Sequence, residues 1–391
     1  MNIIYIAMLK NFRSLKILAV LLFFLTNSSF AQDKYKFTVE KKLDATSVKN
    51  QGNSGSCWCF ATCSLLESEM LRKGMEQLDF SEMYLVRCAF IEKAILYVRM
   101  HGKSNFGQGG EAHDVTNMMR KYGMVPKSEY SGTKENNTIY DHDKLEIELR
   151  SYLDTLIKKT GEGKLPDNWM KAYEKILNNE MGKVPAKFEF EGKKYTPQTY
   201  LQDYLKINPD DYVEFTSFTH HPYYSKFFLE IPDNWSFDLY NNVKMDEITE
   251  LIDSSLAKGY TVGWGGDVSE REFQSKKGVA IVPEKDWEHK SDEERKRTGE
   301  IHETELKITP ELRQKEFDNW QTTDDHFMHI VGIAKDQYGD KFYITKNSWG
   351  ASRGFDGYLY MSEAYVKLKL TTLMVNKSVI PTQILQENGI K

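Results

Sequence analysis

A glycine-rich loop leads into a predicted helix at Val48-Lys49-Asn50-Gln51-Gly52-Asn53-Ser54-Gly55-Ser56-Cys57-Trp58. Glycine at positions 52 and 55 lets the backbone turn tightly and approach a ligand closely. Beyond the loop, apolar residues recur near helical spacing, and Gly74 provides a C-terminal stop. The pattern predicts a helix from Ser56 to Lys73, with Cys57 at its N-terminus.

Cys57 is the candidate nucleophile of this loop. The partial positive charge at a helix N-terminus lowers the pKa of a thiol and favours the thiolate. Gln51, six residues earlier, can offer a side-chain N–H that would form an oxyanion hole with the Cys57 backbone N–H. Acyl transfer also needs a base near the sulfur and a group that orients this base. The alternative for Cys57 is a buried structural thiol.

Two histidines, His326 and His329, compete for the role of base. Both lie in one predicted strand, where residues three apart point to opposite faces, so only one can face a cleft. Asn347 ends the next predicted strand and is well placed to hold an imidazole. Trp349 could shield that hydrogen bond from water. For either histidine taken alone, a satisfied core residue is the commoner role.

The composition is typical of a globular protein. The chain has 391 residues, of which 40% are hydrophobic and 28% are charged. Its formal net charge is −5, and it becomes more negative when the basic first 31 residues are removed. An acidic surface argues against nucleic acid as the main partner.

All four cysteines lie in the first quarter of the chain, at Cys57, Cys59, Cys63 and Cys88. An exported protein built on disulfides would spread them along the sequence, so the fold is not expected to depend on a disulfide framework. We interpret Cys59 and Cys63 as small buried apolar residues. The cysteine spacings are not those of zinc sites, and the adjacent pair His220-His221 would point apart in a strand. We predict neither a metal nor a cofactor.

The first 31 residues are predicted to be a secretory signal. Three basic residues precede an unbroken apolar run from Ile17 to Leu25, and Ser29-Phe30-Ala31 provides a small-x-small cleavage site. Nine apolar residues are too few to span about 30 Å of hydrocarbon, so no stable membrane insertion is expected. The prediction places the mature protein in the periplasm or outside the cell.

Helical patterns dominate the first part of the chain and strand patterns the last third. This order is typical of an α+β protein with two lobes. The predicted divisions of the mature chain, 32–391, are a helical lobe at about 50–130, a mainly helical insertion at about 134–250, a β-rich lobe at about 255–375 and a C-terminal helix and tail at about 376–391.

Several of these residues resemble the active-site motifs of papain-like cysteine peptidases, in the same order along the chain. The segment 48–58 is similar to the motif around the family's Cys, and Asn347-Ser348-Trp349-Gly350 is similar to its Asn motif. His326 stands six residues before Gly332, as the family's His does before its Gly, whereas His329 does not.

The resemblance implies a two-lobed papain-like fold and a set of functional residues. Cys57 would be the nucleophile, His326 the base and Asn347 the residue that orients it, with Gln51 in the oxyanion hole. Substrate contacts are implied for four further residues, Gly109, Gly110, Trp349 and Asp267. For Asp267, a turn residue after Gly266 is an equal alternative.

Three segments resemble the bleomycin hydrolase and aminopeptidase C branch of that family: Tyr195-Thr196-Pro197, His221-Pro222-Tyr223 and Gly265-Gly266-Asp267-Val268. The branch implies a homohexamer whose active sites face an internal chamber. It also implies aminopeptidase activity, because a C-terminal arm places its terminal carboxylate against the free amine of the substrate. Here the arm's Trp-Asp-Pro-type stretch is missing, and a leader is present where the better-known members are cytosolic.

The leading hypothesis is therefore an exported aminopeptidase that acts on peptides through Cys57. An endopeptidase, or an acyl transferase or deamidase, could use the same three residues, and equal cleavage of N-terminally blocked peptides would favour it. A non-catalytic binding or assembly protein is the third hypothesis. Labelling of Cys57 by an epoxide thiol probe would count against it.

Overall fold

The structure is a computed structural model that describes residues 34–133, 139–161 and 163–390. The leader predicted at residues 1–31 lies outside these described residues. Among the helices of the described part, none is both long and apolar enough to cross a lipid bilayer.

Five helices with a shared apolar core form the helical lobe. They are α1 (Cys57–Arg72), α2 (Glu82–Arg99), α3 (Ala112–Tyr122), α4 (Asp143–Thr160) and α5 (Trp169–Met181). Helix α1 lies within one residue of the predicted 56–73 at each end. Ser81 caps α2, because its hydroxyl accepts a hydrogen bond from the Tyr84 N–H at 3.1 Å. Almost every residue of α1 up to Met70 is buried, so this helix runs through the centre of the lobe.

The β-rich part is one large sheet. Its strands are β1 (Thr38–Lys42), β4 (Tyr212–Thr216), β5 (Lys226–Phe228), β6 (Leu239–Asn242), β7 (Val262–Gly266), β8 (Phe273–Gln274), β9 (Val279–Ala280), β10 (His326–Lys335), β11 (Lys341–Lys346), β12 (Tyr358–Ser362) and β13 (Leu370–Asn376). The order across the sheet is β5-β6-β4-β13-β7-β10-β11-β12-β9-β8, with β1 paired to the far end of β10. A separate hairpin joins β2 (Phe188–Phe190) to β3 (Lys193–Tyr195).

Further helices connect these strands. They are α6 (Pro197–Thr199, which continues into a π-helical segment, Tyr200–Leu205), α7 (Met245–Ala257), α8 (Asp292–Arg297), α9 (Pro310–Asp318), α10 (Glu363–Lys369) and α11 (Thr382–Glu387), with 3₁₀ turns at Pro209–Asp211, Trp287–His289 and Lys377–Val379. The closing helix α11 packs Ile384 into the core of the β-rich lobe, and Ile390 folds back onto it through a bond from its N–H to the Leu385 carbonyl.

The segment at about 134–250, which we expected to be mainly helical, contains both kinds of structure. It is largely helical up to Leu205, and its last part adds β4, β5 and β6 to the large sheet beside β13. These strands are only three to five residues long. The molecule is α+β, as the sequence pattern predicts.

Strand β10 and helix α1 bring the two lobes together. Phe327 belongs to the core of the helical lobe, whereas Met328 and Ile330 belong to the core of the β-rich lobe. Because successive residues of a strand face opposite sides, β10 carries one face against α1 and the other against the β-rich core. Its first residue is His326, beside the N-terminus of α1. The fold therefore places a histidine and a cysteine at the boundary between the lobes.

Candidate active site

The loop before Cys57 is tied to the segment after β11. The Gln51 N–H donates to the Ser348 carbonyl at 2.9 Å, and the Gly350 N–H donates to the Lys49 carbonyl at 3.1 Å. These backbone bonds join residues about 300 positions apart in the sequence. They fix the cysteine loop against the segment that follows Asn347.

His326 and Asn347 form a buried hydrogen bond. His326 Nε2 lies 2.9 Å from Asn347 Oδ1, and the same oxygen accepts the Ser348 N–H at 2.7 Å. Because Oδ1 is the acceptor, Nε2 of His326 carries the hydrogen, and the neutral ring keeps its lone pair on Nδ1. The Trp349 ring covers the pair, with its centroid 4.5 Å from that of His326. An imidazole held in this way is ready to take a proton at Nδ1.

The thiol of Cys57 lies beside this histidine. The backbone N–H of Phe327, the residue after His326, interacts with the Cys57 sulfur, as does the N–H of Trp58. Both N–H groups act to lower the pKa of the thiol, in the direction expected for a helix N-terminus. The nucleophile and the base therefore meet where α1 and β10 begin.

Burial controls the charge of this pair more strongly than the helix N-terminus does. Desolvation, reinforced by the nearby Asp233 carboxylate, raises the pKa of Cys57 to about 12. Desolvation also lowers the pKa of His326 to about 4, although the bond to Asn347 acts in the opposite direction. The expectation of a thiolate favoured by the helix alone is thus corrected. A thiolate and an imidazolium formed together would offset part of both desolvation costs, because opposite charges stabilise each other.

His329 has a different environment. It is fully buried, and its Nδ1 lies 2.9 Å from the Ser64 hydroxyl of α1. Ser64 also accepts a hydrogen bond from Lys346 at 2.7 Å. Burial and the nearby Lys346 ammonium hold the pKa of His329 well below its usual value. The structure therefore makes His329 a core residue and leaves His326 as the candidate base.

Gln51 is oriented by two hydrogen bonds. Its Nε2 donates to the Ser54 carbonyl at 2.7 Å, and its Oε1 accepts from the Ser348 hydroxyl at 2.6 Å. An amide nitrogen carries two hydrogens, so one remains for an oxyanion. The Cys57 N–H belongs to the first helical turn, where backbone N–H groups lack an intrahelical acceptor. Both groups are available as donors, and their joint role as an oxyanion hole stays a prediction.

The paired glycines Gly109 and Gly110 lie in tight contact with their surroundings. A Cβ on Gly110 would come within 2.7 Å of Asp114 Oδ2 and 3.0 Å of the Trp58 ring. The Gly109 carbonyl accepts a hydrogen bond from the buried Lys93 ammonium. A side chain at Gly110 would clash with Trp58 of α1 and Asp114 of α3, and a side chain at Gly109 would clash with Asp233.

Asp267, for which the resemblance implies a substrate contact, is buried and fully engaged. One carboxylate oxygen accepts the N–H and hydroxyl of Ser269 at 2.7 Å each, and the other accepts the N–H and hydroxyl of Thr323 at 2.7 and 2.9 Å. These hydrogen bonds lower the pKa of Asp267 despite its burial. These contacts hold the loop before His326, and a substrate contact of Asp267 stays a prediction.

Two charged residues of this region escaped the sequence analysis. Asp233 lies against Gly109, and the buried Glu111 carboxylate accepts a hydrogen bond from Thr372 at 3.0 Å. Both carboxylates raise the pKa of Cys57. Neither residue stands in a motif with a characteristic spacing, so only the folded chain shows their proximity to the thiol.

Three groups of side chains in the described residues could hold a cation: His220 with His221 and Glu230, His302 with Asp336 and Asp340, and Glu67 with Asp79 and Glu82. The expectation that His220 and His221 point apart is wrong, because they lie outside a strand and both rings reach Glu230, at 3.1 and 3.4 Å. None of these groups includes Cys57 or His326.

The chain is similar to known proteins in sequence and in fold. The Peptidase C1-like family is matched over residues 16–389. Aminopeptidase E of Lactobacillus helveticus is 27% identical, with 87% of this chain and 83% of that protein covered. Bleomycin hydrolase of Gallus gallus is 26% identical, with 86% and 82% covered. The crystal structure of PepW from Lactobacillus rhamnosis shares the fold, with a TM-score of 0.70 at 20% identity over 90% of this chain and 84% of that one. The chain belongs to the Peptidase C1-like family.

Proposed function

We propose that the protein is a cysteine aminopeptidase that removes N-terminal residues from peptides. The observation that carries the proposal is the His326–Asn347 hydrogen bond beside the Cys57 thiol, with Gln51 oriented toward the same loop. The similarity to a protein named aminopeptidase E supports the exopeptidase part.

In the proposed reaction, the Cys57 sulfur attacks the carbonyl carbon of the first peptide bond while its proton passes to His326. The Gln51 amide and the Cys57 N–H stabilise the negative oxygen that forms. The imidazolium then protonates the leaving amine, and the peptide shortened by one residue departs. Water, deprotonated by His326, hydrolyses the thioester and releases the N-terminal amino acid.

The cellular setting is also a proposal. The charged and apolar pattern of residues 1–31 supports export to the periplasm or the exterior. The family resemblance supports a homohexamer that encloses its active sites. Peptides are the proposed partners, and the acidic net charge supports the absence of nucleic acid among them.

Hydrolysis of a fluorogenic amino-acid amide tests the proposed function. We expect wild type and Cys59→Ala to be active and Cys57→Ala to be inactive. Cys59 is a matched control, because it is a buried cysteine of the same helix whose thiol donates a hydrogen bond to the Glu82 carbonyl. Full activity of Cys57→Ala would refute the mechanism. Equal hydrolysis of the N-acetylated amide by wild type would refute the aminopeptidase assignment and favour an endopeptidase.

A further inference from the structure

The turn at residues 231–235 bridges the two lobes next to the candidate active site. On one side, Asn105 donates a hydrogen bond to the Pro232 carbonyl at 2.6 Å. On the other side, the Asp233 N–H donates to Asp324 Oδ2 at 2.9 Å, two residues before His326. The turn thus runs from the loop between α2 and α3 to the segment just before β10.

Further contacts hold this turn rigidly in place. The Trp235 indole N–H donates to Asp114 Oδ2 at 2.8 Å, and Trp235 itself is buried. The Asn234 amide donates to the carbonyls of Leu229 and Asp238, at 3.2 and 3.0 Å. A turn fixed on both sides in this way can act as a barrier at the end of a substrate cleft.

The carboxylate of Asp233 packs against Gly109, near the nucleophile. A Cβ on Gly109 would lie 2.1 Å from Asp233 Oδ2, and a Cβ on Gly55 would lie 3.7 Å from the Gly109 N atom. Gly55 is two residues before Cys57, so these short contacts connect the carboxylate to the nucleophile loop. Asp233 is also the charged group with the largest effect on the pKa of the Cys57 thiol.

This carboxylate has no hydrogen-bond or ion-pair partner among residues 34–133, 139–161 and 163–390. Lys93 is the nearby cation and acts to lower the pKa of Asp233, but its ammonium donates its hydrogen bonds to the carbonyls of Gly107 and Gly109. Desolvation and the neighbouring Asp324 raise the pKa of Asp233 to about 7. A cationic ligand at this position would remove that penalty.

We propose that Asp233 binds the α-ammonium group of the substrate's N-terminal residue, and that the 231–235 turn blocks the cleft beyond it. This inference rests on the proposed aminopeptidase function. In an aminopeptidase the α-ammonium is adjacent to the carbonyl that the thiolate attacks, so an anion near the nucleophile is well placed to bind it. A carboxylate forms charge-assisted hydrogen bonds with such a cation. An extended peptide that continued past this point would collide with the turn.

The test compares kcat/KM for a free-amine aminoacyl amide and its N-acetylated form in wild type, Asp233→Asn and Asp238→Asn. Asp238 is the matched control, because its carboxylate lies in the same segment but accepts hydrogen bonds from Ser236 and Asn117 at 2.7 and 2.9 Å. Labelling of Cys57 by an epoxide thiol probe shows that each variant retains a folded active site.

We expect Asp233→Asn to lose about 10- to 100-fold in kcat/KM for the free amine, mainly through KM, with the acetylated substrate unaffected or improved. Asp238→Asn should behave as wild type. The assignment is overturned if Asp233→Asn keeps the wild-type preference for the free amine, or if only Asp324→Asn removes it. If wild type itself shows no such preference, the aminopeptidase function fails, and this inference fails with it.

Discussion

The two histidines of β10 differ in what each ring contacts. These contacts make His326 the candidate base and His329 a residue of the core. His326 meets Asn347 and Trp349 beside the thiol, whereas His329 lies in the core against Ser64. Their spacing shows that they face opposite sides of the strand. The residues alone do not show which side carries the cleft. The distance to Gly332 identifies His326 only through the family resemblance.

Substitution of each histidine by alanine should therefore have opposite effects. We expect His326→Ala to lower kcat by about 10²- to 10⁴-fold with little change in the free energy of unfolding, because the base is lost. His329→Ala should keep kcat per folded molecule and lower the free energy of unfolding by about 1–3 kcal/mol, because Ser64 loses one of its two buried partners. Steady-state kinetics and urea unfolding measure both quantities. A similar loss of kcat in both variants would contradict these roles.

Asp233 shows the limit of prediction at this scale. It contacts Gly109, more than 120 positions earlier in the chain, through a turn without regular structure. No periodicity or motif connects two such positions, so the contact of Asp233 with Gly109 cannot be predicted from the sequence. Cys57, His326 and Asn347 could be proposed as candidates because each stands in a local motif with a fixed spacing.

Helix α3 connects the turn at residues 231–235 to the rest of the protein. His113, in its first turn, lies 2.7 Å from Glu214 of β4, and its other nitrogen lies 3.1 Å from the Ser236 hydroxyl beyond the turn. Burial acts to lower the pKa of His113, but the Glu214 carboxylate outweighs this effect and raises the pKa to about 10. The buried ring is therefore an imidazolium at neutral pH.

The stability that His113 contributes should depend on pH. Because its folded-state pKa lies above the unfolded value of about 6.5, the contribution is complete below pH 6.5 and is lost as the pH rises toward 10. We expect His113→Gln to lower the free energy of unfolding by about 3 kcal/mol at pH 6 and by much less at pH 10. Urea unfolding at the two pH values measures the difference.

The exposed His289 provides the control for this prediction, and His289→Gln should change stability little at either pH. An equal loss for His113→Gln at pH 6 and pH 10 would show that the ring is not charged in the folded protein.

The helices and central strands were predicted well, and the strands of the insertion were not. Helix α1 was expected over 56–73 and spans Cys57–Arg72, because apolar spacing and a glycine stop define it. Strands β5 and β6 have three and four residues and carry exposed side chains such as Lys226 and Leu239. Alternation over so few residues is too weak a pattern to distinguish a strand from a loop.

Across the whole molecule, the cysteines differ sharply in access to solvent. Cys57 is partly exposed at the boundary of the lobes, and the other three, Cys59, Cys63 and Cys88, are buried and free. This arrangement agrees with the interpretation of Cys59 and Cys63 as buried apolar residues. It follows from the fold, because α1 presents only its first residue to the cleft and buries nearly all the rest.

Alkylation should therefore separate Cys57 from the other thiols. We expect iodoacetamide to add one label to the folded protein and four after unfolding in urea, since buried thiols are protected until the lobes open. Mass spectrometry of intact and digested protein gives the number and position of the labels. Folded Cys57→Ala should take none, and labelling of Cys88 in the folded protein would contradict the packing described.

The two-lobed architecture itself follows from the order of patterns along the chain. Helical periodicity first and strand alternation last predict two separate cores, and the folded chain contains both. What joins them is not visible in local patterns. Backbone bonds such as Gln51 to Ser348 link positions about 300 residues apart and place the cysteine loop beside Asn347.

The most direct test of the account is the product pattern from one unblocked peptide and its N-acetylated form, followed by mass spectrometry. Wild type should release single residues in order from the free N-terminus and leave the acetylated peptide intact, and Cys57→Ala should leave both unchanged. Internal fragments from the acetylated peptide at a comparable rate would contradict the aminopeptidase assignment. Release of single residues by Cys57→Ala would contradict the catalytic role of Cys57.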